Sequence, residues 1–228
     1  MLQLERTRLA AALAVALVLG GSQAPADAQA RQQHTRLFPP ENLGLLEPPD
    51  RDAWQHPDRI MDELQIAEGS VVADLGAGSG WFTTRLAARV GPNGTVYAED
   101  IQAPMFNAIQ LRVQREGLKN VKPVLGTPLD PRLPTDALDA VLIVDTYHEM
   151  EDPVVLLRHI SGSLKKSGLV GVVNHTKRGF GPGPPMEERV DPDQVIRDAQ
   201  AAGLKLKSQP DVLPFQYLLI FQRADAPK

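Results

Sequence analysis

Two hydrophobic patterns alternate along the chain between residues 58 and 222. Short apolar runs bounded by glycine, proline or acidic residues predict buried strands, whereas apolar residues spaced three and four positions apart predict amphipathic helices. The predicted strands cover 70–75, 95–99, 121–125, 137–145, 169–174, 204–208 and 215–222. The predicted helices cover 58–66, 81–90, 105–116, 153–164 and 192–202.

This alternation predicts the fold class. It favours an α/β domain with a doubly wound, mostly parallel sheet of seven strands, covered by helices on both faces. The last two strands are separated by a short loop around Pro210, which suits an antiparallel pair at the C-terminal end. The basic residues and glycine of 165–168 are typical of a helix C-terminus, so the preceding helix is expected to end there. In such a sheet, ligands bind beyond the carboxyl ends of the strands.

The first thirty residues carry the pattern of a secretory signal peptide. Arg6 and Arg8 precede an apolar run at 9–20, and Ala28 or Ala30 offers a cleavage site. The apolar run has 12 residues, whereas a membrane-spanning helix needs roughly 20. Segment 1–30 therefore predicts export, to the periplasm, without a stable membrane span. An uncleaved N-terminal anchor is the alternative.

A proline-rich extension at 31–50 precedes the predicted domain at 51–225. Its Pro-Pro pairs favour extended backbone and predict a loosely packed lid or linker. Together with Trp54 and the Gly/Pro-rich loop 180–189, the extension is expected to cover the ligand site. Trp54 and Tyr147 are candidates for an apolar wall against a small ligand, with a core position as the alternative for Trp54.

The composition excludes several functional classes. The 228 residues are 43% hydrophobic and 23% charged, as in a globular domain. The net charge of −4, without a stripe of lysine or arginine, argues against a nucleic-acid partner. Because the chain has no cysteine, disulfides, thiolate metal sites and a cysteine nucleophile are excluded. The sequence does not indicate an oligomeric state.

The segment VVADLGAGSGW at 71–81 carries the first candidate chemistry. Gly76, Gly78 and Gly80 lie between a predicted strand and a predicted helix, where glycine lets the backbone turn sharply and approach a ligand closely. Asp74 precedes them, and Asp100 closes the next strand. An acid about 20 residues after such a loop can accept hydrogen bonds from both hydroxyls of an adenosine ribose. The pattern predicts a nucleotide-type cofactor, with a merely structural turn as the alternative.

Four segments of the chain resemble the class I S-adenosylmethionine-dependent methyltransferases, over about residues 54–223. They are DLGAGSG at 74–80, VYAEDIQ at 96–102, LDAVLIVDTYHEM at 138–150 and LLRHISGSLKKSGLVGVV at 156–173. The resemblance implies a Rossmann-like methyltransferase fold, S-adenosylmethionine as cofactor and transfer of its methyl group.

The resemblance also implies which residues bind the cofactor. The glycine loop would surround the methionine part, with one acid near its amino group, a second acid on the ribose hydroxyls and an apolar side chain on the adenine. These residues are Gly76, Ala77, Gly78 and Gly80, then Asp74, Asp100 and Ile101. The sequence departs from the family after the third strand. Gly126-Thr127 stands where the family often has an acid for the adenine amino group.

His148 and Glu149 follow the fourth predicted strand, at the edge where the transferred methyl group is expected. His148 is the candidate general base, since an unperturbed histidine has a pKa of about 6.5, and Glu149 would orient it or act itself. Asp145 is a candidate for contact with the methionine end of the cofactor. The alternative is that His148 and Glu149 only cap the following turn.

A magnesium site is a further interpretation of the same edge. Asp145 and Asn174, with His175 beside Asn174, stand roughly where some catechol-type methyltransferases hold magnesium. Magnesium prefers carboxylate oxygens, and one acid with one amide is a thin ligand set. We therefore predict no metal.

These patterns together predict a methyltransferase that acts on a small-molecule acceptor. One alternative is an exported module of the same fold that binds the cofactor without catalysis, because S-adenosylmethionine is made in the cytoplasm. The other is a nicotinamide-dependent oxidoreductase. That class predicts the spacing G-x-G-x-x-G, which the chain does not have because Trp81 follows Gly80.

Overall fold

The computed structural model describes residues 37–178 and 181–224. The predicted signal peptide at 1–30 lies outside the described residues, as do 31–36 of the extension and Phe180 of the predicted covering loop. In the two described ranges, no helix is long and apolar enough to cross a membrane.

Seven strands form one sheet in the order β3-β2-β1-β4-β5-β7-β6. They are β1 (Val71–Leu75), β2 (Thr95–Asp100), β3 (Val121–Leu125), β4 (Leu138–Val144), β5 (Leu164–His175), β6 (Leu204–Ser208) and β7 (Gln216–Arg223). Strands β1 to β5 pair in parallel, and β7 pairs antiparallel with both β5 and β6. The predicted α/β sheet with a C-terminal antiparallel pair is thus confirmed.

Helices cover both faces of this sheet. The α-helices are α1 (Arg51–Gln55), α2 (Pro57–Glu63), α3 (Trp81–Val90), α4 (Ala103–Arg115), α5 (Pro153–Ser163) and α6 (Pro192–Ala201). One hydrophobic core lies between the sheet and α2, α3 and α4, and a second lies between the sheet and α5 and α6. Burying one aliphatic side chain such as Leu86 or Ile160 in these cores contributes about 1.5–3 kcal/mol. The two cores hold the carboxyl ends of the strands in a fixed arrangement.

The strand order reverses at β1, which lies between β2 and β4. Connections from the ends of neighbouring strands then leave on opposite faces of the sheet and open a crevice between them. The aspartate caps of α5 and α6 agree with the sequence: Asp152 accepts from the Val155 N–H, and Asp191 accepts from the Asp193 N–H. The crevice above β1, β2 and β4 is therefore the expected ligand site of this topology.

The region after α5 differs from the expectation. Segment 165–168 was expected to end the helix, but the strand begins directly at Leu164. Leu164 pairs with Leu138, and the next pair joins Leu169 to Ala140, so the register shifts between them. A Cβ on Gly168 would lie 2.7 Å from the carbonyl oxygen of Leu138. This glycine therefore lies where the pairing of β4 and β5 is irregular, and not at a helix end.

Two further expectations were wrong. The extension is not extended throughout, because Pro40–Leu46 forms a 3₁₀ helix, and α1 begins shortly after it. Tyr147 does not form a wall of the ligand site. Its ring is buried in the core beneath α5 and α6, and its hydroxyl donates to Asp198 Oδ2 at 2.8 Å.

Candidate active site

A cavity of about 630 Å³ lies at the carboxyl ends of the parallel strands. Its walls come from the extension, α1, the loop after β1, the ends of β2, β4 and β5, residues 182–185 and Glu188. Its volume falls within the range of about 300–1,000 Å³ that is typical of small-molecule sites. The crevice predicted from the strand order is therefore a real cavity, covered by the N-terminal part of the described chain.

The loop between β1 and α3 forms the floor of one end of the cavity. Gly76, Gly78 and Gly80 have φ of +66°, +54° and +80°, in the left-handed region that favours glycine. A Cβ on Gly76 would collide with the side chain of Thr146, and one on Gly78 would lie 2.9 Å from Leu46 Cδ1. The loop therefore brings bare backbone against the cavity, as a cofactor-binding turn requires.

Asp74 lies beneath this loop at the end of β1. Its carboxylate is buried, and Oδ2 accepts a hydrogen bond of 2.6 Å from the Thr83 hydroxyl of α3. Burial raises the pKa of Asp74 to about 6, against the hydrogen bond from Thr83, which lowers it. Thr83 thus fixes the carboxylate of Asp74 toward the first turn of the helix.

Two consecutive acids end β2. Asp100, predicted to bind ribose, accepts from the N–H of Gly78 at 3.0 Å and from the N–H of Gln102 at 2.9 Å. Glu99 was not singled out, yet it is 2% exposed and lies against the same loop, 3.4 Å from the N–H of Gly76. Burial, with the neighbouring charge of Asp100, raises the pKa of Glu99 to about 8.

Glu99 also explains the departure after the third strand. A Cβ on Gly126 would collide with the Glu99 carboxyl group, so this position after β3 has room only for glycine. The sequence signal for Glu99 is a second acid at the end of an otherwise apolar strand. Successive side chains of a strand point to opposite faces of the sheet. The sequence therefore did not indicate that Glu99 and Asp100 both lie near the glycine loop.

The turn after β4 brings His148 and Glu149 onto the cavity wall, as predicted. They lie in a 3₁₀ helix, Tyr147–Glu149, with 3.9 Å between His148 Nε2 and Glu149 Oε1. Glu149 Oε2 accepts a hydrogen bond of 3.0 Å from the N–H of Phe38 in the extension. Burial raises the pKa of Glu149 to about 7. Whether either residue is catalytic stays a prediction.

Asp145 ends β4 in a cluster of polar side chains from four elements. Gln216 Nε2 of β7 donates to both carboxylate oxygens of Asp145, at 3.0 and 2.8 Å, and His175 Nε2 of β5 lies 3.4 Å from Oδ2. Gln55 of α1 donates to Gln216 Oε1 at 2.7 Å. Sequence reasoning missed Gln55 and Gln216, because no local pattern marks a glutamine on an amphipathic helix or a terminal strand.

Arg51 of α1 is another cavity residue that sequence reasoning missed. Its guanidinium lies 4.2 Å from the centre of the Trp81 ring, donates to Gln55 Oε1 at 2.6 Å and also donates to the carbonyl of Leu46. Trp54, three residues on, lines the cavity with its ring 5.9 Å from that of His175. Helix α1 therefore contributes a cation and an aromatic wall.

The N-terminal part of the described chain closes the cavity. Besides its N–H bond to Glu149, Phe38 accepts a hydrogen bond of 3.0 Å on its carbonyl from Gln102 Nε2. Glu47 pairs with Arg112 of α4 at 2.6 Å. We call residues 37–50 the lid, since they connect the loops after β2 and β4 across the cavity.

In the described ranges, no group of three or more histidine, aspartate or glutamate side chains is arranged to hold a metal ion. That the site holds no metal stays a prediction. The cavity residues fit S-adenosylmethionine. The site combines a turn that has no room for Cβ atoms with buried carboxylates and one arginine. These features suit a ligand that carries an ammonium, a carboxylate and a ribose but no phosphate.

Comparison with known proteins agrees with this geometry. A family described as "Methyltransferase domain" matches residues 72–168. The demethylmenaquinone methyltransferase of Geobacillus stearothermophilus is 27% identical over 110 residues, which are 48% of this chain and 47% of that protein. The nocamycin O-methyltransferase of Saccharothrix syringae is 30% identical over 127 residues, 56% of this chain and 43% of that protein. The chain thus spans about half the length of these curated relatives.

A solved structure matches more of the chain. The crystal structure of a SAM-dependent methyltransferase from Aquifex aeolicus superposes with a TM-score of 0.78 and 27% identity, over 82% of this chain and all of that one. It supports both the fold and the cofactor that the glycine loop predicted. The matched part of this chain therefore has the fold of the class I S-adenosylmethionine-dependent methyltransferases and is similar to them in sequence, which supports S-adenosylmethionine as the cofactor.

Proposed function

We propose that this chain transfers a methyl group from S-adenosylmethionine to a small-molecule acceptor. The observation that carries the proposal is one continuous cavity whose lining includes Asp74, Asp100 and the glycine loop together with Asp145 and His148. Such a cavity has room for a cofactor and an acceptor side by side. Two relatives named for demethylmenaquinone and nocamycin support an acceptor of small-molecule size.

The adenosine part of the cofactor is assigned to the end of β2. Asp100 would accept the ribose hydroxyls, because its carboxylate already lies at the glycine loop and lines the cavity. Ile101 is the next residue of the wall and would pack on the adenine. Glu99 and Gly126 fill the space behind them.

The methionine part is assigned to the glycine loop and α1. Backbone of Gly76, Ala77, Gly78 and Gly80 would surround it, with the carboxylate of Asp74 near its amino group. Arg51 would bind its carboxylate, because burial among the Leu46 carbonyl, the Gln55 side chain and the Trp81 ring aims a fixed cation at this end.

When bound, the cofactor supplies a methyl group on a positively charged sulfur. The contribution of the chain is to align acceptor and methyl group and to exclude water, and alignment alone can supply roughly 7–11 kcal/mol of a barrier. The lid serves the second purpose, because its Phe38 is held on one side by Glu149 and on the other by Gln102.

The roles of His148 and Glu149 are part of the proposal. The hydrogen bond from Phe38 supports Glu149 as the residue that fastens the lid, and its distance of 3.9 Å from His148 Nε2 supports an influence on the orientation of that imidazole. His148 remains the predicted base at this wall.

Two measurements test the proposed function. Calorimetry should detect binding of S-adenosylmethionine and its demethylated product, S-adenosylhomocysteine, but not of NAD. Gly78→Val should abolish that binding, because valine is strained at a φ of +54° and its Cβ would press on Leu46. Gly162→Ala is the matched control, since a Cβ there meets nothing within 4 Å. Retained binding in Gly78→Val, or NAD binding alone, would contradict the assignment.

Turnover separates an enzyme from a binding module. Release of S-adenosylhomocysteine in the presence of small-molecule acceptors supports the enzyme. Cofactor binding without release on any acceptor favours the non-catalytic alternative.

We also propose that residues 1–30 direct export, on the support of their sequence pattern alone. N-terminal sequencing of the protein from separated cell fractions tests this. Mature protein outside the cytoplasm that begins after Ala28 or Ala30 is expected, whereas full-length protein confined to the cytoplasm would rule export out.

A further inference from the structure

Asp145 has a backbone conformation that is uncommon for residues other than glycine. Its φ is +51°, in the left-handed region, at the point where β4 leaves the sheet. Its N–H still donates to the carbonyl of Val173 in β5 at 2.9 Å. Such strain costs on the order of 1–3 kcal/mol and persists where surrounding contacts determine the conformation. At Asp145 those contacts fix the direction of the carboxylate.

The contacts come from three buried polar side chains. Gln55, Gln216 and His175 are 0%, 4% and 4% exposed, whereas the Asp145 side chain is 26% exposed and lines the cavity. Gln216 holds both oxygens of Asp145, and Gln55 holds Gln216. Buried polar groups are costly unless they are paired, so this cluster specifies one arrangement. The carboxylate of Asp145 is the group through which this cluster contacts a ligand in the cavity.

A second observation points to a ligand at this place. Nδ1 of His175 is buried and has no hydrogen-bond partner among the described residues, although its ring lines the cavity beside Trp54. Buried polar atoms without partners are uncommon in proteins. The wall formed by Asp145, His175 and Trp54 therefore combines a fixed carboxylate, an unused nitrogen and an aromatic face.

The charges of the cavity decide which acceptors can approach that wall. Seven aspartate and glutamate residues line the cavity, and Arg51 is the one lysine or arginine among its described lining residues. Arg51 lies near the carboxylates of Asp145 and Asp74, and its remaining donors are assigned to the carboxylate of the cofactor. A negatively charged acceptor would meet repulsion from Asp145 and Glu188 without a cation of its own. A neutral or positively charged acceptor meets no such barrier.

We propose that Asp145, in place of the His148 that the sequence predicts, is the catalytic residue that takes the proton of the acceptor, and that the acceptor is a small uncharged or cationic molecule with an N–H or O–H group. This inference rests on the proposed function of the cavity. Trp54 forms the apolar wall on which the carbon skeleton of the acceptor lies. His175, Gln216 and Gln55 are positioning residues that act through Asp145.

Methyl transfer would move one proton from the acceptor to Asp145. The O–H bond of a hydroxyl acceptor would break and its proton would pass to the carboxylate of Asp145 while an oxygen lone pair forms the bond to the methyl carbon. A neutral amine would form that bond with the lone pair it already has, and an N–H proton of the resulting ammonium would then pass to Asp145. In both cases the methyl–sulfur bond would break and the sulfur would leave as a neutral thioether. An acceptor that enters as an ammonium ion gives up one proton to Asp145 before its lone pair is available. The proton on Asp145 passes to solvent when products leave.

The substrate class is tested with labelled methyl transfer to matched acceptors on one ring skeleton: benzylamine, 4-methylphenol and benzoate, with tyramine and 4-hydroxyphenylacetate as a larger pair. The full chain is used, and binding of S-adenosylhomocysteine is measured first by calorimetry. We expect label in at least one amine or phenol and none in benzoate. Preferred methylation of benzoate overturns the inference, and so does binding of S-adenosylhomocysteine without transfer to any member. Absent cofactor binding instead refutes the proposed function.

The role of Asp145 is tested by Asp145→Asn, which keeps the shape of the side chain and one of the two acceptors for Gln216 Nε2. Loss of a general base is expected to lower kcat by about 10²–10⁴-fold, while the Kd of S-adenosylhomocysteine stays within about twofold. A Kd that weakens as much as kcat falls would make Asp145 a cofactor ligand and overturn the inference. Glu187→Gln, the same change at an exposed residue outside the cavity, is the control.

Gln216→Leu tests positioning. With its donors removed, Asp145 loses its fixed direction, and a misplacement near 1 Å can cost about 10²-fold. We expect kcat to fall at least tenfold with the KM for S-adenosylmethionine unchanged. A rise in that KM with unchanged kcat would contradict a positioning role.

Discussion

Replacing Glu99 with glutamine is expected to stabilise the protein at pH 8 and to change little at pH 5. Glu99 ends β2 with its side chain enclosed between the glycine loop and Gly126, and the N–H of Gly76 at 3.4 Å is its hydrogen-bond donor. Burial first, and the charge of Asp100 second, raise its pKa from an ordinary 4.5 to about 8. The folded protein therefore prefers the neutral acid.

The sign and size of the effect follow from this pKa. Because the folded pKa of Glu99 lies above the unfolded value, its stabilising effect is fully present below about pH 4.5 and is lost as the pH rises through about 8. One pKa unit corresponds to about 1.36 kcal/mol, so the three units between pH 5 and pH 8 correspond to a loss on the order of 4 kcal/mol. Glutamine has the shape of the neutral acid and does not ionise, so the variant avoids that loss.

Urea unfolding at pH 5, 6.5 and 8 measures the effect as the difference in free energy of unfolding between Glu99→Gln and wild type. Burial raises the pKa of Asp74 to about 6 and that of Glu149 to about 7, so both residues also make the wild-type free energy of unfolding depend on pH. The contribution of Glu149 is common to both proteins and cancels in the difference, whereas that of Asp74 cancels only in part because its charge also raises the pKa of Glu99. Glu187→Gln should show no pH-dependent difference, since Glu187 is exposed. A difference for Glu99→Gln that is the same at pH 5 and pH 8 would refute the reasoning.

Three further predictions concern ligand binding. Asp100→Asn should weaken the binding of adenosine by at least tenfold, since hydrogen bonds to a charged group contribute about 1.5–3 kcal/mol. It should leave the binding of 2′,3′-dideoxyadenosine unchanged, and calorimetry that shows an equal loss for both ligands would contradict ribose binding. Arg51→Met should weaken the binding of S-adenosylhomocysteine at least tenfold more than that of methylthioadenosine, which lacks the amino acid part. Equal losses of affinity for the two ligands would show that Arg51 does not bind the carboxylate. Glu149→Ala should raise the dissociation rate of S-adenosylhomocysteine, measured by stopped flow, by about tenfold, because the N–H of Phe38 loses its partner. An unchanged rate would show that this hydrogen bond does not hold the lid closed.

The regular elements of the fold were predictable because their signals are local. The helix at 81–90 and the strands at 121–125 and 204–208 have the predicted bounds, and each is limited by a glycine, proline or charged residue next to a clear period. The glycine loop was predictable for the same reason, since three glycines between a strand and a helix leave few conformations. Fold class and cofactor therefore followed from short segments of sequence.

The expectations that failed depended on contacts distant in sequence. Residues 165–168 read as a helix end, but pairing of Leu164 with Leu138 draws them into the sheet. The prolines of the extension suggested extended backbone, but packing over the cavity folds Pro40–Leu46 into a 3₁₀ helix. Tyr147 looked available for a ligand, but Asp198 of α6 provides a partner for its hydroxyl in the core. Local patterns cannot report such partners.

The wall around Asp145 shows why the acceptor end of the cavity is harder to predict than the cofactor end. Apart from Arg51 of α1, the cofactor end is built from one continuous loop and the next strand, so these residues stand close together in the sequence. At the acceptor end, Gln55 and Gln216 are 161 positions apart and meet only because α1 packs beside β7. A carboxylate fixed in this way is specified by the fold as a whole, and a variant of Gln216 should therefore affect transfer more than it affects the binding of cofactor. If methyl transfer and cofactor binding change together in that variant, the two ends of the cavity do not act as separate units.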